Sequence, residues 1–89
     1  MPRRTTTIKN TLGLHLRAAS KLVKLAHNYE SEIFLLKDNI KANGKSMLGI
    51  VTLGATRGST LEIITEGTDA QKLLDAVVQL IDRNFDEED

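Results

Sequence analysis

The sequence predicts an α+β fold, an open-faced β-sandwich in which a four-stranded, mainly antiparallel sheet carries three helices on one face. Short β-branched or apolar runs alternate with segments of helical apolar spacing, in the order β-α-β-β-α-β-α. The chain has 89 residues, 40% hydrophobic and only 3% aromatic. A chain of this length buries one core, and this composition makes that core aliphatic. We therefore expect a single domain over residues 1–89.

The first half of the chain contains three predicted strands and one predicted helix. Residues 5–8 are largely β-branched and predict a strand. Apolar residues recur at helical spacing over residues 16–27, which predicts an amphipathic helix. Residues 32–37 have an apolar centre and predict the second strand. The Asp-Asn pair at residues 38–39 tolerates positive φ, which predicts a hairpin into a third strand at residues 40–42.

The second half is predicted to add two helices and the last strand. Ser46 as N-cap and Gly54 as terminator favour a two-turn helix over residues 47–53. Residues 60–65 predict the fourth strand. Thr68 and Gln71 have the spacing of a capping box, which predicts the start of the last helix. The buried face of that helix is expected to carry Ala70, Leu73, Leu74, Val77, Leu80 and Ile81.

The formal net charge of zero conceals a strong asymmetry. Residues 1–57 have a net charge of +7 and residues 58–89 a net charge of −7. A basic half indicates an acidic partner: nucleic acid, phosphate or a carboxylate-rich protein surface. Four of the acids close the chain at residues 86–89, and we expect residues 85–89 to form a frayed, solvated tail.

Several classes of function are disfavoured. No apolar run approaches the ~20 residues of a membrane span, and no apolar segment follows the N-terminal arginines, so we expect no membrane insertion, no signal peptide and a cytoplasmic location. Cysteine is absent, and His15 and His27 would lie ~18 Å apart on one helix, so no metal or other cofactor is expected. Phosphate loops and dinucleotide fingerprints are missing. Nucleic acid is disfavoured because the only aromatic residues are Tyr29, Phe34 and Phe85.

His15 and Arg17 form the strongest candidate site. His15 falls just before the first helix, where unpaired backbone N–H groups and the helix dipole favour an anion. Arg17 adds a fixed cation that can bind phosphate through two nitrogens. A neutral imidazole there can attack phosphorus through a ring nitrogen. The alternative interpretation is that His15 only caps the helix and Arg17 is only solvated.

Ser46 is the second candidate. A phosphate on a serine at a helix start meets the dipole favourably and would alter surface charge and partner fit without refolding. An ordinary N-cap serine is the alternative. Met47, Leu48 and Val51 follow it and form an apolar docking patch if they are exposed. The basic stripe of Arg17, Lys21 and Lys24 would steer acidic proteins to the site, although such a stripe is often only solvated.

At these residues the chain resembles the HPr family, the histidine-containing phosphocarriers of the bacterial phosphotransferase system. The segment Gly13-Leu14-His15-Leu16-Arg17-Ala18-Ala19 is similar to the family's active-site signature, and residues 45–53 are similar to its regulatory-serine signature. The resemblance covers roughly residues 5–81. It implies the same open-faced sandwich.

The resemblance also implies roles and partners. His15 would accept a phosphoryl group at Nδ1 from phosphorylated enzyme I and pass it to a IIA component of a sugar permease or to a regulatory target. Arg17 would stabilise the transferring group, and Ser46 would be the target of the ATP-dependent HPr kinase/phosphorylase. The chain would then be a stoichiometric carrier and not an enzyme, and a monomer. We expect partners to contact Leu16, Ser20, Lys21, Lys24, Lys45, Met47, Leu48 and Val51.

Ala18 departs from the family pattern, which usually has proline there. Alanine supplies an extra N–H and a less rigid start to the helix, and we expect the chemistry to survive. Because of this substitution, the sequence does not indicate whether the chain serves the sugar-uptake branch of the system or a regulatory or nitrogen-related branch. The alternative function is a regulatory or nitrogen-branch interaction module that acts mainly through its phosphorylation state.

Overall fold

The computed structural model describes residues 1–87, and it has the predicted order of elements with one addition. The strands are β1 (Arg3–Thr7), β2 (Glu32–Lys37), β3 (Ile40–Asn43) and β4 (Thr60–Glu66), and the helices are α1 (Leu16–Ala26), α2 (Met47–Thr52) and α3 (Ala70–Asp82). A short left-handed turn at Asn84–Asp86 follows α3. The predicted bounds are confirmed to within two residues. The turn at Asn84–Asp86 was not predicted.

The four strands form one sheet in the order β1-β4-β2-β3, and every neighbouring pair is antiparallel. The hairpin between β2 and β3 turns at Asp38 and Asn39, both with positive φ as predicted. The register places Leu35 opposite Ala42 on one side and Ile63 on the other. The open-faced sandwich with an antiparallel sheet is therefore confirmed.

One face of the sheet is buried and the other is open. Along β4 the residues Leu61, Ile63 and Thr65 are buried while their neighbours are at least partly exposed, which is the alternation of a sheet covered on one side. Helices α1 and α3 place their apolar faces on the buried side, where Leu22 and Leu73 are fully buried. On the open side, the Lys41 ammonium lies 4.2 Å from the centre of the Phe34 ring. Among residues 1–87, no helix is long and apolar enough to cross a membrane.

The acidic C-terminal segment differs from the expected frayed tail. Phe85 is fully buried in the aliphatic core, and the backbone carbonyl of Phe85 accepts a hydrogen bond of 2.6 Å from the Lys21 ammonium. Asn84, Phe85 and Asp86 all have φ between +55° and +59°, a left-handed conformation that costs about 1–2 kcal/mol for each non-glycine residue. Burial of a phenylalanine side chain contributes ~1.5–3 kcal/mol and offsets much of that cost. The tail expectation was therefore wrong for residues 85–87, and for residues 88–89 it lies outside the described residues.

Helix α3 begins differently from the prediction. Asp69, not Thr68, is the N-cap, and the Gln71 amide donates to Asp75 further along the helix instead of reaching back. The Asp69 carboxylate accepts hydrogen bonds from the Ser31 hydroxyl, from the Ser31 amide (2.9 Å) and from the Glu30 amide (3.1 Å). The capping box was wrong because the start of α3 is tied to the chain before β2, a contact that a local window does not contain.

These hydrogen bonds predict an acid-dependent loss of stability. The Ser31 hydroxyl, with the two backbone amides, holds the pKa of Asp69 below its usual value of 3.8. The folded state therefore favours the charged carboxylate, and the stabilisation is present above the unfolded pKa and lost as the pH falls through the folded pKa. In urea titrations from pH 7 to about pH 2, we expect Asp69→Asn to lower the free energy of unfolding at pH 7 and to flatten its decline in acid.

Asp75→Asn is the matched control, because Asp75 is exposed on α3 and accepts a hydrogen bond from the Gln71 side chain. The control should keep the acid slope of the wild type. An unchanged acid slope in Asp69→Asn would contradict the assignment of this titration to Asp69.

Candidate functional site

The loop before α1 is held in place by glycine. Gly13 has φ +67°, and a Cβ at this position would lie 2.5 Å from the carbonyl oxygen of Ala55. The next amide, of Leu14, donates to that same Ala55 oxygen at 2.9 Å. Because the loop must approach the backbone this closely in a left-handed conformation, only glycine fits. The loop is thereby seated on the segment after α2, and His15 follows it at the start of α1.

His15 is the N-cap of α1, as its position in the sequence predicts. Its Nδ1 atom accepts a hydrogen bond of 3.3 Å from the backbone amide of Arg17, and its carbonyl accepts one from Ala19 at 2.9 Å. The imidazole thus faces the helix terminus, where the backbone N–H groups give a positive potential. Its side chain is 22% exposed, so a partner can reach the ring. His15 therefore caps the helix, as the alternative interpretation held, and also lies in an environment that favours an anion.

Arg17 lies in the first turn of α1 with its side chain 68% exposed. Its Nε atom is 3.5 Å from the carboxylate oxygen of Glu87 that also lies 2.7 Å from His15 Nε2. The guanidinium is accessible to an anion that arrives at the ring. Ala18 follows as a fully buried core residue, and α1 forms without the proline that is usual at this position in the family it resembles.

Glu87 is the residue of this site that the sequence did not indicate. One oxygen of its carboxylate lies 2.7 Å from His15 Nε2, and the other accepts a hydrogen bond of 3.0 Å from the side-chain amide of Asn10. Asn10 is fully buried, and its amide also donates to the Gly13 carbonyl at 2.9 Å. The sequence around neither residue indicates a functional role, since Asn10 lies in a segment typical of a turn and Glu87 in a run of charged residues typical of a tail.

A surface groove runs from His15 along α1 and across to α2. Leu16 is 58% exposed in it and Met47 is 38% exposed, so the groove combines apolar and basic contacts. The residues that line this groove are His15, Leu16, Arg17, Ser20, Lys21, Lys24 and Met47. The structure thus places five of the predicted partner-binding residues beside the two predicted catalytic residues.

The other predicted partner-binding residues lie outside this groove. The Lys45 ammonium donates to the carbonyl of Tyr29 at 2.8 Å, and Val51 is partly buried against the core. Leu48 is 75% exposed on α2. Leu12, in the loop before Gly13, is also largely exposed, and its sequence pattern did not mark it.

Ser46 is the N-cap of α2, and its hydroxyl accepts a hydrogen bond of 3.1 Å from the amide of Gly49. A Cβ at Gly49 would lie 3.2 Å from that hydroxyl oxygen, so the absence of a side chain at residue 49 leaves room for the hydrogen bond between its amide and the Ser46 hydroxyl. Gly49, although it lies inside the helix, therefore supports the cap. Ser46 is partly exposed and precedes Met47, which lines the groove.

His27 is the C-cap of α1, and its amide donates to the carbonyl of Val23 at 3.0 Å. It lies at the opposite end of α1 from His15. Over residues 1–87 no group of three or more histidine, cysteine, aspartate or glutamate side chains is arranged to hold a metal ion.

Comparisons with known proteins agree with this geometry. A family model described as "PTS HPr component phosphorylation site" matches residues 2–83. The chain is 41% identical to the phosphocarrier protein HPr of Cupriavidus necator over 98% of each chain. It is 43% identical to the phosphocarrier protein NPr of Shewanella violacea, over 94% of this chain and 92% of that one.

A solved structure of HPr from Thermoanaerobacter tengcongensis has the same fold, with a TM-score of 0.95 and 41% identity over 99% of each chain. The match extends over both predicted motifs and over the whole order of strands and helices. The chain therefore belongs to the HPr family of phosphocarrier proteins of the phosphotransferase system.

Proposed function

We propose that this protein accepts a phosphoryl group on His15 from phosphorylated enzyme I and passes it to IIA components of sugar permeases. The observation that carries the proposal is the position of His15 Nδ1 at the N-terminus of α1. Its lone pair points at the Arg17 amide, and the exposed guanidinium of Arg17 lies 3.5 Å from the Glu87 oxygen that contacts the other ring nitrogen. Backbone N–H groups and a guanidinium are the groups that stabilise phosphoryl oxygens.

The transfer is a displacement at phosphorus between two nitrogens. The Nδ1 lone pair forms the new P–N bond while the bond to the donor nitrogen breaks and its electron pair leaves with the donor. The reverse displacement hands the group to the next acceptor. The protein is consumed and regenerated once in each cycle, so it acts as a stoichiometric carrier and not as an enzyme with a substrate of its own.

The groove supplies the docking surface for these partners. Lys21 and Lys24 give it positive charge, and Leu16 and Met47 give it apolar contact, which suits successive acidic partners that bind briefly and leave. One small face used by every partner suits a cytoplasmic monomer. Lys45, Leu48 and Val51 extend this surface beyond the groove.

Ser46 is proposed as the regulatory site, phosphorylated from ATP by the HPr kinase/phosphorylase. It is partly exposed and adjacent to Met47, so a phosphate here would add about two negative charges beside the docking surface. That charge would repel an acidic partner. Because the hydroxyl already caps α2, the fold would change little.

The proposal is tested by labelling. With phosphoenolpyruvate and enzyme I, we expect an acid-labile label that disappears in His15→Ala and persists in His27→Ala, the matched control at the far end of α1. Acid lability distinguishes phosphohistidine from phosphoserine. If no label forms from phosphoenolpyruvate while ATP and the kinase label Ser46, the carrier role is excluded and the regulatory module is the function.

Arg17→Ala should slow the acceptance of the phosphoryl group without unfolding the protein. Loss of a hydrogen bond to a charged group costs about 1.5–3 kcal/mol, which corresponds to a rate about ten- to a hundredfold lower. The measurement is the initial rate of transfer from phosphorylated enzyme I. Arg4→Ala, which removes an exposed arginine from β1, is the control, and equal rates for both variants would remove Arg17 from the mechanism.

Ser46→Asp should raise the KM for phosphorylated enzyme I several-fold, because the added charge opposes the approach of an acidic surface. Aspartate also caps helices, so the fold is preserved. The increase should shrink at high salt, where charges on the surface are screened. Thr68→Asp adds the same charge to an exposed loop and should have no effect, whereas an unchanged KM in Ser46→Asp would refute the proposed switch.

A further inference from the structure

The C-terminal segment brings one carboxylate to the phosphoryl-accepting histidine. Phe85 is anchored in the core and its carbonyl is bound by Lys21, so the chain after it has little freedom. Arg83 also donates to Asp86 at 2.9 Å across the same turn. Three consecutive left-handed residues then direct residue 87 to the start of α1. The strained backbone is held by these contacts, and what it places at the site is the Glu87 side chain.

The Glu87 carboxylate is bound on three sides. It lies 2.7 Å from His15 Nε2 and 3.5 Å from Arg17 Nε, and it accepts a hydrogen bond of 3.0 Å from Asn10. Its side chain is only 12% exposed. Asn10 is itself fully buried and also fixes the Gly13 carbonyl, so the carboxylate is held by the same loop that positions His15.

These contacts determine which ring nitrogen of His15 carries the proton. A backbone amide can only donate, so the hydrogen bond from the Arg17 amide requires a lone pair on Nδ1. In the neutral ring the proton is then on Nε2, where it is donated to the Glu87 carboxylate. The carboxylate thus fixes the tautomer and the orientation in which Nδ1 is the nucleophile, as an aspartate orients the histidine of a hydrolytic triad.

We propose that Glu87 is a positioning residue for phosphoryl transfer, an inference that rests on the proposed carrier function of His15. When Nδ1 forms the bond to phosphorus and the donor nitrogen takes the electron pair of the broken bond, the proton stays on Nε2. The ring then carries a positive charge, which the carboxylate of Glu87 balances on the side of the ring away from the phosphoryl group. On transfer to the next acceptor, the ring returns to the neutral Nε2–H tautomer.

The test compares two variants that each remove one negative charge without a change in side-chain shape. Glu87→Gln removes the charge at His15 Nε2. Glu66→Gln makes the same substitution at an exposed position at the end of β4, outside the site. We expect Glu87→Gln to slow the acceptance of the phosphoryl group from phosphorylated enzyme I about tenfold, and Glu66→Gln to leave the rate unchanged.

A second measurement does not depend on transfer. In ¹⁵N NMR spectra of the unphosphorylated protein, we expect a proton on His15 Nε2 that exchanges slowly with water in the wild type and in Glu66→Gln. In Glu87→Ala this proton should exchange too rapidly to be observed. Loss of this signal in Glu87→Ala, with the remaining amide spectrum unchanged, distinguishes a direct contact with Nε2 from a purely structural role of the tail.

Two results would overturn the inference while the carrier function stands: a rate in Glu87→Gln equal to that of the wild type, or a higher rate, which would make the carboxylate a block on the site. If the wild type accepts no phosphoryl group although the protected Nε2 proton is present, the proposed function fails and the role of Glu87 in transfer fails with it. The two failures are therefore distinguishable.

Discussion

The hydrogen bond from the Arg17 amide to His15 Nδ1 is the interaction on which the site depends. It exists because His15 ends the loop and begins α1, and the loop reaches that point only because Gly13 approaches the carbonyl of Ala55 in a left-handed conformation. A different residue at 13 would move the loop, and the imidazole would lose its alignment with the helix terminus. The geometry of the candidate site is thus set by the backbone as much as by side-chain identity.

The sheet and helices provide the rigid support that this alignment requires. The aliphatic core joins α1 and α3 to one face of the sheet, and Leu22 and Ile63 are fully buried within it. The hydrogen bonds between Asp69 and Ser31 connect α3 to the start of β2 and share no residue with the candidate site. The contacts that fix α3 are therefore separate from the candidate site, which keeps exposed apolar and charged groups.

The basic and acidic parts of the chain, which are separate in the sequence, are in contact in the folded protein. The acidic C-terminal part returns to the basic N-terminal part, where Asp82 pairs with Lys9 and Glu87 with His15 and Arg17. Lys21 binds the carbonyl of Phe85 instead of a carboxylate. The remaining positive charge of α1 lies in the groove, where the carboxylate of Glu87 partly balances it at one end.

Features that arise within a few residues could be predicted from the sequence: the order of strands and helices, the hairpin at residues 38–39, and His15 and Ser46 as N-caps. These depend on hydrogen bonds and side-chain periodicity inside one short window. Long-range contacts became visible only in the folded chain: Asp69 binds Ser31, Phe85 is buried, and Glu87 reaches His15, a residue 72 positions earlier. Such contacts depend on how the sheet brings distant segments together. Local composition favoured a solvated tail because it contains no information about these long-range contacts.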